Sequence, residues 1–218
     1  MSGGGFVIAL LGAESTGKTT LAAELQAELA APGRQMGRIA LVAEYLREFC
    51  EREGRTPRED EQRGIAREQT RRIAEAAADH EIVIADTTAL MIAVYSDQVF
   101  GDTSLYAEAS TAQAACQLTL LTALDLPWLP DGHMRDGPHV RDPVDAKVRA
   151  ALSAAGLPYA VVSGHGPARL RAALAAVERA LNPPPEDTGT AAGVRWRWHC
   201  ERCGDANCER HALLPKQR

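Results

Sequence analysis

Eight consecutive residues near the start of the chain have the types and spacing of a phosphate cradle: Gly12-Ala13-Glu14-Ser15-Thr16-Gly17-Lys18-Thr19 fits G-x-x-x-x-G-K-[ST]. The apolar run Phe6 to Leu11 precedes it and a helix-favouring segment opens at Lys18, the strand, loop and helix order that the pattern requires. Successive backbone N–H groups of such a loop, together with the positive end of the helix, surround a β-phosphate, and the glycines let the main chain approach without a Cβ in the way. Lys18 then reaches the β and γ oxygens, and Thr19 offers its hydroxyl to Mg²⁺, which takes a few protein oxygens and several waters. Gly12, Glu14, Ser15, Thr16, Gly17, Lys18, Thr19 and Thr20 are the expected contacts to ATP, with Mg²⁺ as its metal.

A second carboxylate belongs to the same chemistry. The run Ile82-Val-Ile-Ala85 ends in Asp86, which places an acidic group at a strand's C-terminal end, where Mg²⁺ needs a partner; the alternative is a cap on the following helix. Thr87 follows it, whereas hydrolytic motor ATPases usually have glutamate there, and no Asn-Lys-x-Asp guanine reader occurs. Motor ATPase and small GTPase both lose ground. Glu44-Tyr45-Leu46-Arg47 follows another apolar run at the same expected edge: Glu44 to hold or deprotonate a sugar hydroxyl, Tyr45 to stack on a ring, Arg47 to neutralise phosphate. A solvated helix start is the plainer reading of that cluster. Leu126 to Asp142 is a stretch of turn formers punctuated by arginines, the composition of a closing lid. Arg135 and Arg141 are its candidates for stabilising a transferring phosphoryl group while water is excluded; solvated loop arginines are the alternative, and His133 and His139 read as bystanders. The expected catalytic set is therefore Lys18, Asp86, Glu44, Arg135 and Arg141.

The elements that position these groups follow from periodicity. Five short apolar runs, Phe6 to Leu11, Ile39 to Ala43, Ile82 to Ala85, Leu118 to Ala123 and Tyr159 to Ser163, alternate with helical segments, clearest over Lys18 to Ala31, Arg58 to Ala78 and Ala168 to Leu181. That alternation predicts an α/β three-layer sandwich with a five-stranded, mostly parallel sheet, a P-loop NTPase architecture. With 24 basic and 29 acidic residues the net charge is −5, which excludes a generally basic nucleic-acid coat. At 45% hydrophobic and 24% charged, the 218 residues exclude disorder along the whole chain. Phe6 to Leu11 is too short for a signal-peptide core, no run approaches membrane-spanning length, and the five cysteines fit a reduced, cytoplasmic setting without disulfides.

These residues together resemble the ribosylnicotinamide kinase domain of NadR-type NAD biosynthesis proteins. Gly-Ala-Glu-Ser-Thr-Gly-Lys-Thr-Thr at 12–20, Glu-Tyr-Leu-Arg-Glu-Phe at 44–49, Ile-Ala-Asp-Thr at 84–87 and Pro-Trp-Leu-Pro-Asp-Gly-His-Met-Arg at 127–135 stand in that family's order and spacing, over residues 5–182. The resemblance implies a P-loop kinase sheet with a lid and ATP-dependent phosphorylation of the nicotinamide riboside 5′-hydroxyl, giving the mononucleotide and ADP. It implies that Lys18 and Thr19 serve ATP and Mg²⁺, that Asp86 lies near metal and acceptor, and that Arg135 is a lid arginine. Two substrate-side positions depart from the family: Ala43 stands where members have tryptophan, and Thr88 where they have an acidic residue. A missing aromatic removes stacking of about 1 kcal/mol, so another nucleoside or a sugar stays open as acceptor. The adenylyltransferase and DNA-binding roles of NadR proteins are not implied.

Past Leu181 the sequence changes character. Asn182-Pro-Pro-Pro-Glu-Asp-Thr-Gly-Thr halts the helix, so we read a kinase domain at 1–182, a linker at 183–193 and a Cys/His-rich tail at 194–218. Cys200, Cys203, Cys208 and His211 have the number and type of ligands of a closed, structural Zn²⁺ knuckle, with His199 as a substitute for His211 and a reduced flexible tail as the alternative. The tail carries six basic and three acidic residues, and Trp196 and Trp198 alternate with Arg195 and Arg197. Those tryptophans dock on the body or a partner subunit of a homo-oligomer, or they stack on nucleic-acid bases, for which the charge is weak support. The leading function is thus a small-molecule nucleoside kinase without membrane contact; the alternative is an ATP-binding regulator whose zinc tail contacts nucleic acid or a protein.

Overall fold

A strand covered on both faces must be apolar at successive positions, and one that borders another parallel strand needs a helix to return the chain. In a computed structural model that describes residues 4–128 and 137–183, five runs of this kind form strands: β1 (Phe6–Leu11), β2 (Ile39–Val42), β3 (Ile82–Asp86), β4 (Leu118–Thr122) and β5 (Ala160–Val162). They pair in parallel throughout, in the order β2-β3-β1-β4-β5. Each strand lies within a residue of its expected limits at either end. β5 is the shortest, because its ladder with β4 spans only Ala160–Val162 opposite Leu120–Thr122.

The returning helices are α1 (Lys18–Leu29), α2 (Tyr45–Glu53), α3 (Glu59–Asp79), α4 (Ala89–Phe100), α5 (Tyr106–Ala114), α6 (Arg141–Ala154) and α7 (Gly166–Leu181). α7 starts two residues before its expected first residue: Pro167 has no N–H to lose in the first turn and its fixed φ suits a helix start. α1 ends at Leu29, before the expected Ala31, as the chain approaches Pro32-Gly33. These elements make the three-layer α/β sandwich.

Side chains alternate between two cores. Ile8, Leu10, Ile82, Ile84, Leu120 and Val162 pack with Leu21, Leu25, Leu29, Ala173 and Val177 of α1 and α7. On the other side, Leu11 and Leu121 join buried residues of α2 to α6, and Val7, Val42 and Val83 meet Ile73, Ala76 and Ala77 of α3. α4 is nearly enclosed: Ala89 to Val94 are all buried. Complete burial of a leucine such as Leu10 contributes about 1.5–3 kcal/mol, so the sheet's centre is where the fold is firmest. The described residues contain no helix long and apolar enough to cross a membrane.

The start of β1 is seated by a close backbone approach. The Gly5 amide donates to the Ala77 carbonyl at 2.7 Å, and a Cβ on Gly5 would lie 1.9 Å from the His80 carbonyl oxygen, a backbone atom that cannot swing aside. Gly5→Ala is therefore expected to lower stability by about 1–3 kcal/mol in urea unfolding, through displacement of the α3–β3 junction.

Candidate functional site

β1 lies between β3 and β4, so the chain leaves its C-terminal end where neighbouring connections diverge, the place at which parallel sheets bind ligands. Gly12 makes the exit with φ +147°, and a Cβ there would lie 2.0 Å from Thr122 Oγ1 at the end of β4. Thr16 is fully buried; its hydroxyl donates to the Ala13 carbonyl at 2.8 Å and lies 2.7 Å from Thr122 Oγ1, which is also 3.1 Å from the Leu11 carbonyl. These hydroxyls fold the loop back over the strand end. Ser15 (φ +54°) and Gly17 (φ +73°) complete the turn into α1, whose first turn has no side-chain cap, so its amides are available to an anion. Lys18 Nζ donates to the Gly12 and Ala13 carbonyls at 2.8 and 2.9 Å, holding the ammonium at the loop's mouth. Thr19 and Thr20 are exposed, and Glu14 Oε2 is buried without a hydrogen-bond partner.

A brace that the sequence did not disclose holds the loop from the opposite side. Arg169 of α7 is 4% exposed; its Nη2 donates to the Thr16 carbonyl at 2.6 Å and its Nη1 to Asp125 Oδ1 and the Gly164 carbonyl at 3.0 and 3.1 Å. Asp125 Oδ2 accepts from the Gly164 amide at 2.5 Å. Burial works against the Asp125 charge, yet the Gly164 amide and the Arg169 guanidinium outweigh it and hold the carboxyl below its usual range. Nothing in local spacing marks Asp125 or Arg169, because the pairing joins residues 44 apart.

Asp86 ends β3 opposite Leu10, is 3% exposed, and its Oδ1 has no partner. Thr87 follows at φ +72°, its amide donating to the Leu10 carbonyl at 3.1 Å. Gln69, wholly buried on α3, clasps this edge: its Oε1 accepts from the Tyr45 amide at 2.7 Å and its Nε2 donates to the Ala43 and Thr87 carbonyls at 3.3 and 3.4 Å. Thr88 caps α4 through the Leu90 amide and donates to Gln113 Oε1 at 2.6 Å. Glu44 occupies the N-cap position of α2 with an ion pair to Arg47 at 3.7 Å. The Tyr45 ring carries the Arg72 guanidinium at 4.3 Å from its centroid, so one stacking face is already occupied. Ala43 is exposed.

Arg141 is not delivered by a loop: it is the first residue of α6, after a short 3-10 turn, Pro138–Val140. The Val144, Val148 and Leu152 stripe buries the helix, and Pro143 is tolerated in its first turn. Arg141 is 8% exposed; its Nη1 donates to the Leu126 carbonyl at 2.9 Å, while Nε and Nη2 are buried without partners. Leu126 in turn overhangs the loop, since a Cβ on Gly17 would lie 2.9 Å from its Cδ1. Arg135, His133 and the Cys200, Cys203, Cys208 and His211 set lie outside the described residues. Burial pushes the Cys50 thiol up and that of Cys116 to about 11, which leaves neither as a thiolate nucleophile.

Among the described residues no group of three or more His, Cys, Asp or Glu is placed to hold a metal. The donors at hand, the exposed Thr19 hydroxyl and the orphaned Asp86 Oδ1, suit an ion such as Mg²⁺ that keeps several waters and shares phosphate oxygens. The brace yields a pH dependence. Because the folded pKa of Asp125 is depressed below that of an ordinary aspartate, about 3.9, its ionisation stabilises the fold above that pH and the benefit is lost as pH falls through the lower folded value. Asp125→Asn should cost about 2 kcal/mol near neutrality, with the gap to wild type narrowing below about pH 4 in thermal unfolding.

Residues 7–169 match the family described as an AAA domain. Among solved structures, the chain is similar to a crystal structure of NadR protein in complex with NAD and AMP-PNP, at 19% identity and TM-score 0.62, covering 80% of this chain and 49% of that one. It is also similar to a crystal structure of NadR protein in complex with NR, at 21% identity and TM-score 0.65, covering 83% and 52% respectively. The chain thus spans about half the length of these NadR chains, and at such identities the shared property is the fold. No curated protein matches it. The resemblance to NadR-type proteins carried by the motifs extends to the sheet and its helices, and over 7–169 the chain belongs to the AAA domain family.

Proposed function

We propose that the chain is an ATP-dependent small-molecule kinase that transfers the γ-phosphoryl group to the 5′-hydroxyl of nicotinamide riboside or a related nucleoside, giving the mononucleotide and ADP. One observation carries the reading. Of the buried polar side-chain atoms without partners, Glu14 Oε2, Asp86 Oδ1, Thr87 Oγ1, Arg141 Nε and Nη2, and Arg169 Nε belong to residues on or bonded around the loop's edge. Each costs about 1–3 kcal/mol if left unmet. Acceptors and cationic donors together suit a ligand that brings both phosphate oxygens and hydroxyl or metal-held protons. The shared fold with NadR structures holding AMP-PNP and NR supports the same reading. So does Thr87, which stands where a glutamate would be needed to activate water for hydrolysis.

In this account the loop amides, the start of α1 and Lys18 hold the β- and γ-phosphates. Thr19 and Asp86 would hold Mg²⁺, which when bound neutralises phosphate charge. Asp86 or Glu44 orients the acceptor hydroxyl and receives its proton. The acceptor oxygen bonds to the γ-phosphorus as the bond to the β–γ bridging oxygen breaks, and ADP departs with that electron pair. Arg141 offers two unengaged guanidinium nitrogens to the charge on the transferred group, and the rate comes mainly from positioning and neutralisation. The exposed Ala43 supplies no aromatic surface to the acceptor, which leaves base identity to other groups. The division into a kinase domain at 1–182, a linker at 183–193 and a tail at 194–218 with a structural Zn²⁺ belongs to the proposal, and the reaction does not use the tail.

The test is ADP release from Mg-ATP with nicotinamide riboside, with the common nucleosides and with no acceptor, for wild type and Lys18→Ala. Acceptor-dependent release that falls at least about 100-fold in Lys18→Ala is expected. ADP release that no acceptor stimulates would overturn the proposal.

A further inference from the structure

Thr87 combines two features that the fold itself has no use for. A β-branched side chain at φ +72° sets its Cβ against neighbouring backbone, a conformation that glycine adopts freely and threonine rarely does. Its hydroxyl is also buried, with the residue 1% exposed, and has no hydrogen-bond partner. The backbone is held on both sides without that hydroxyl: the Thr87 amide by the Leu10 carbonyl, and its carbonyl by Gln69 Nε2. The other buried threonines among the described residues, Thr16, Thr88, Thr119 and Thr122, all have hydroxyl partners. Local strain of this kind persists where surrounding structure over-determines it, and it concentrates at ligand-handling positions.

We infer that the Thr87 hydroxyl is a ligand contact, which together with the adjoining Asp86 Oδ1 meets an oxygen of the group bound at this edge. The inference rests on the kinase reading of the site and adds a specificity-determining residue to it. Its place supports this: Thr87 is tied to Leu10 at the end of β1, one residue after the carboxylate proposed for metal and acceptor. The ligand oxygen belongs either to the nucleotide with its metal or to the acceptor's hydroxyl. A threonine offers the same O–H to both.

Thr87→Val and Thr87→Ser separate hydroxyl from shape. Valine keeps the β-branching and removes the O–H, while serine keeps the O–H. The measurement is thermal unfolding of the full chain, first alone, then with Mg²⁺ and AMP-PNP, then with nicotinamide riboside added. Without ligand, Thr87→Val should melt at or above wild type, because an unmet buried hydroxyl has been removed. In one of the two additions its ligand-induced shift should correspond to about ten-fold weaker binding, and the addition concerned identifies the source of the oxygen. Serine should restore that shift. A valine variant that melts lower alone yet gains as much as wild type from both additions would make the hydroxyl structural and overturn the inference. Wild type gaining nothing from Mg²⁺ and AMP-PNP would instead remove the nucleotide reading itself, and the inference with it.

Discussion

Strand β1 is hydrogen-bonded to β3 on one side and β4 on the other, and that pairing sets the phosphate loop, Thr122 and Asp86 beside one another. Register sets Asp86 opposite Leu10, so the carboxylate stands where the phosphate loop begins. Register with β4 brings Thr122 beside the loop, and its hydroxyl next to Thr16 leaves no room for a side chain at Gly12. A one-residue slip would turn every side chain of β1 to the opposite face and exchange its two helix layers. The complete burial of Ile8 to Leu11 on both faces makes such a slip costly, and the site inherits its precision from the sheet's core.

Around that rigid centre the protein keeps polar atoms in a state that folding alone does not explain. A domain is stable by roughly 5–15 kcal/mol in total, and buried unmet polar groups cost about 1–3 kcal/mol each. The partly unmet guanidinium groups of Arg141 and Arg169 and the orphaned oxygens of Glu14, Asp86 and Thr87 therefore weigh heavily unless a ligand completes them. Away from the site the polar chemistry is largely closed on itself. Glu61 is pulled down to about 2 by Arg55 and the Arg58 amide, Glu68 to about 2 by Arg71 and Arg72, and Lys147 pairs with Asp97 at 2.6 Å. Partly solvated pairs of this kind each stabilise modestly. Of the nine buried side-chain atoms without a partner among the described residues, six gather at this edge, and Gln62 Oε1, Trp128 Nε1 and Asp145 Oδ1 are the others.

The sheet, its flanking helices and the phosphate loop were legible because they depend on local signals: short runs of Ile, Val and Leu, helical spacing, and a glycine-lysine pattern in the right setting. Boundaries moved by one or two residues: α7 starts earlier because Pro167 is tolerated in its first turn, and α1 ends earlier as the chain approaches Pro32. Arg141 was singled out for its charge, but its helical, buried setting was not visible in a stretch rich in turn formers. The Arg169 brace, the Gln69 clasp and the left-handed Thr87 were not legible at all. Each is a polar residue whose partners lie far along the chain, and a buried glutamine in an amphipathic helix carries no periodic signature that differs from a solvated one. Tyr45 shows the same limit from the other direction: its spacing suggested stacking on a substrate, while Arg72, 27 residues later, already covers one ring face.

The central claim is that one bound assembly of nucleotide and acceptor completes the orphaned groups at the end of β1. A crystal structure of the full chain with Mg²⁺, AMP-PNP and nicotinamide riboside tests it most directly. Phosphates are expected in the Gly12–Thr19 loop, with Asp86 Oδ1 and the Nε and Nη2 atoms of Arg141 within hydrogen-bond or metal-shell distance of the ligands. Nucleotide bound elsewhere, or bound in the loop with those atoms still unmet, would contradict it.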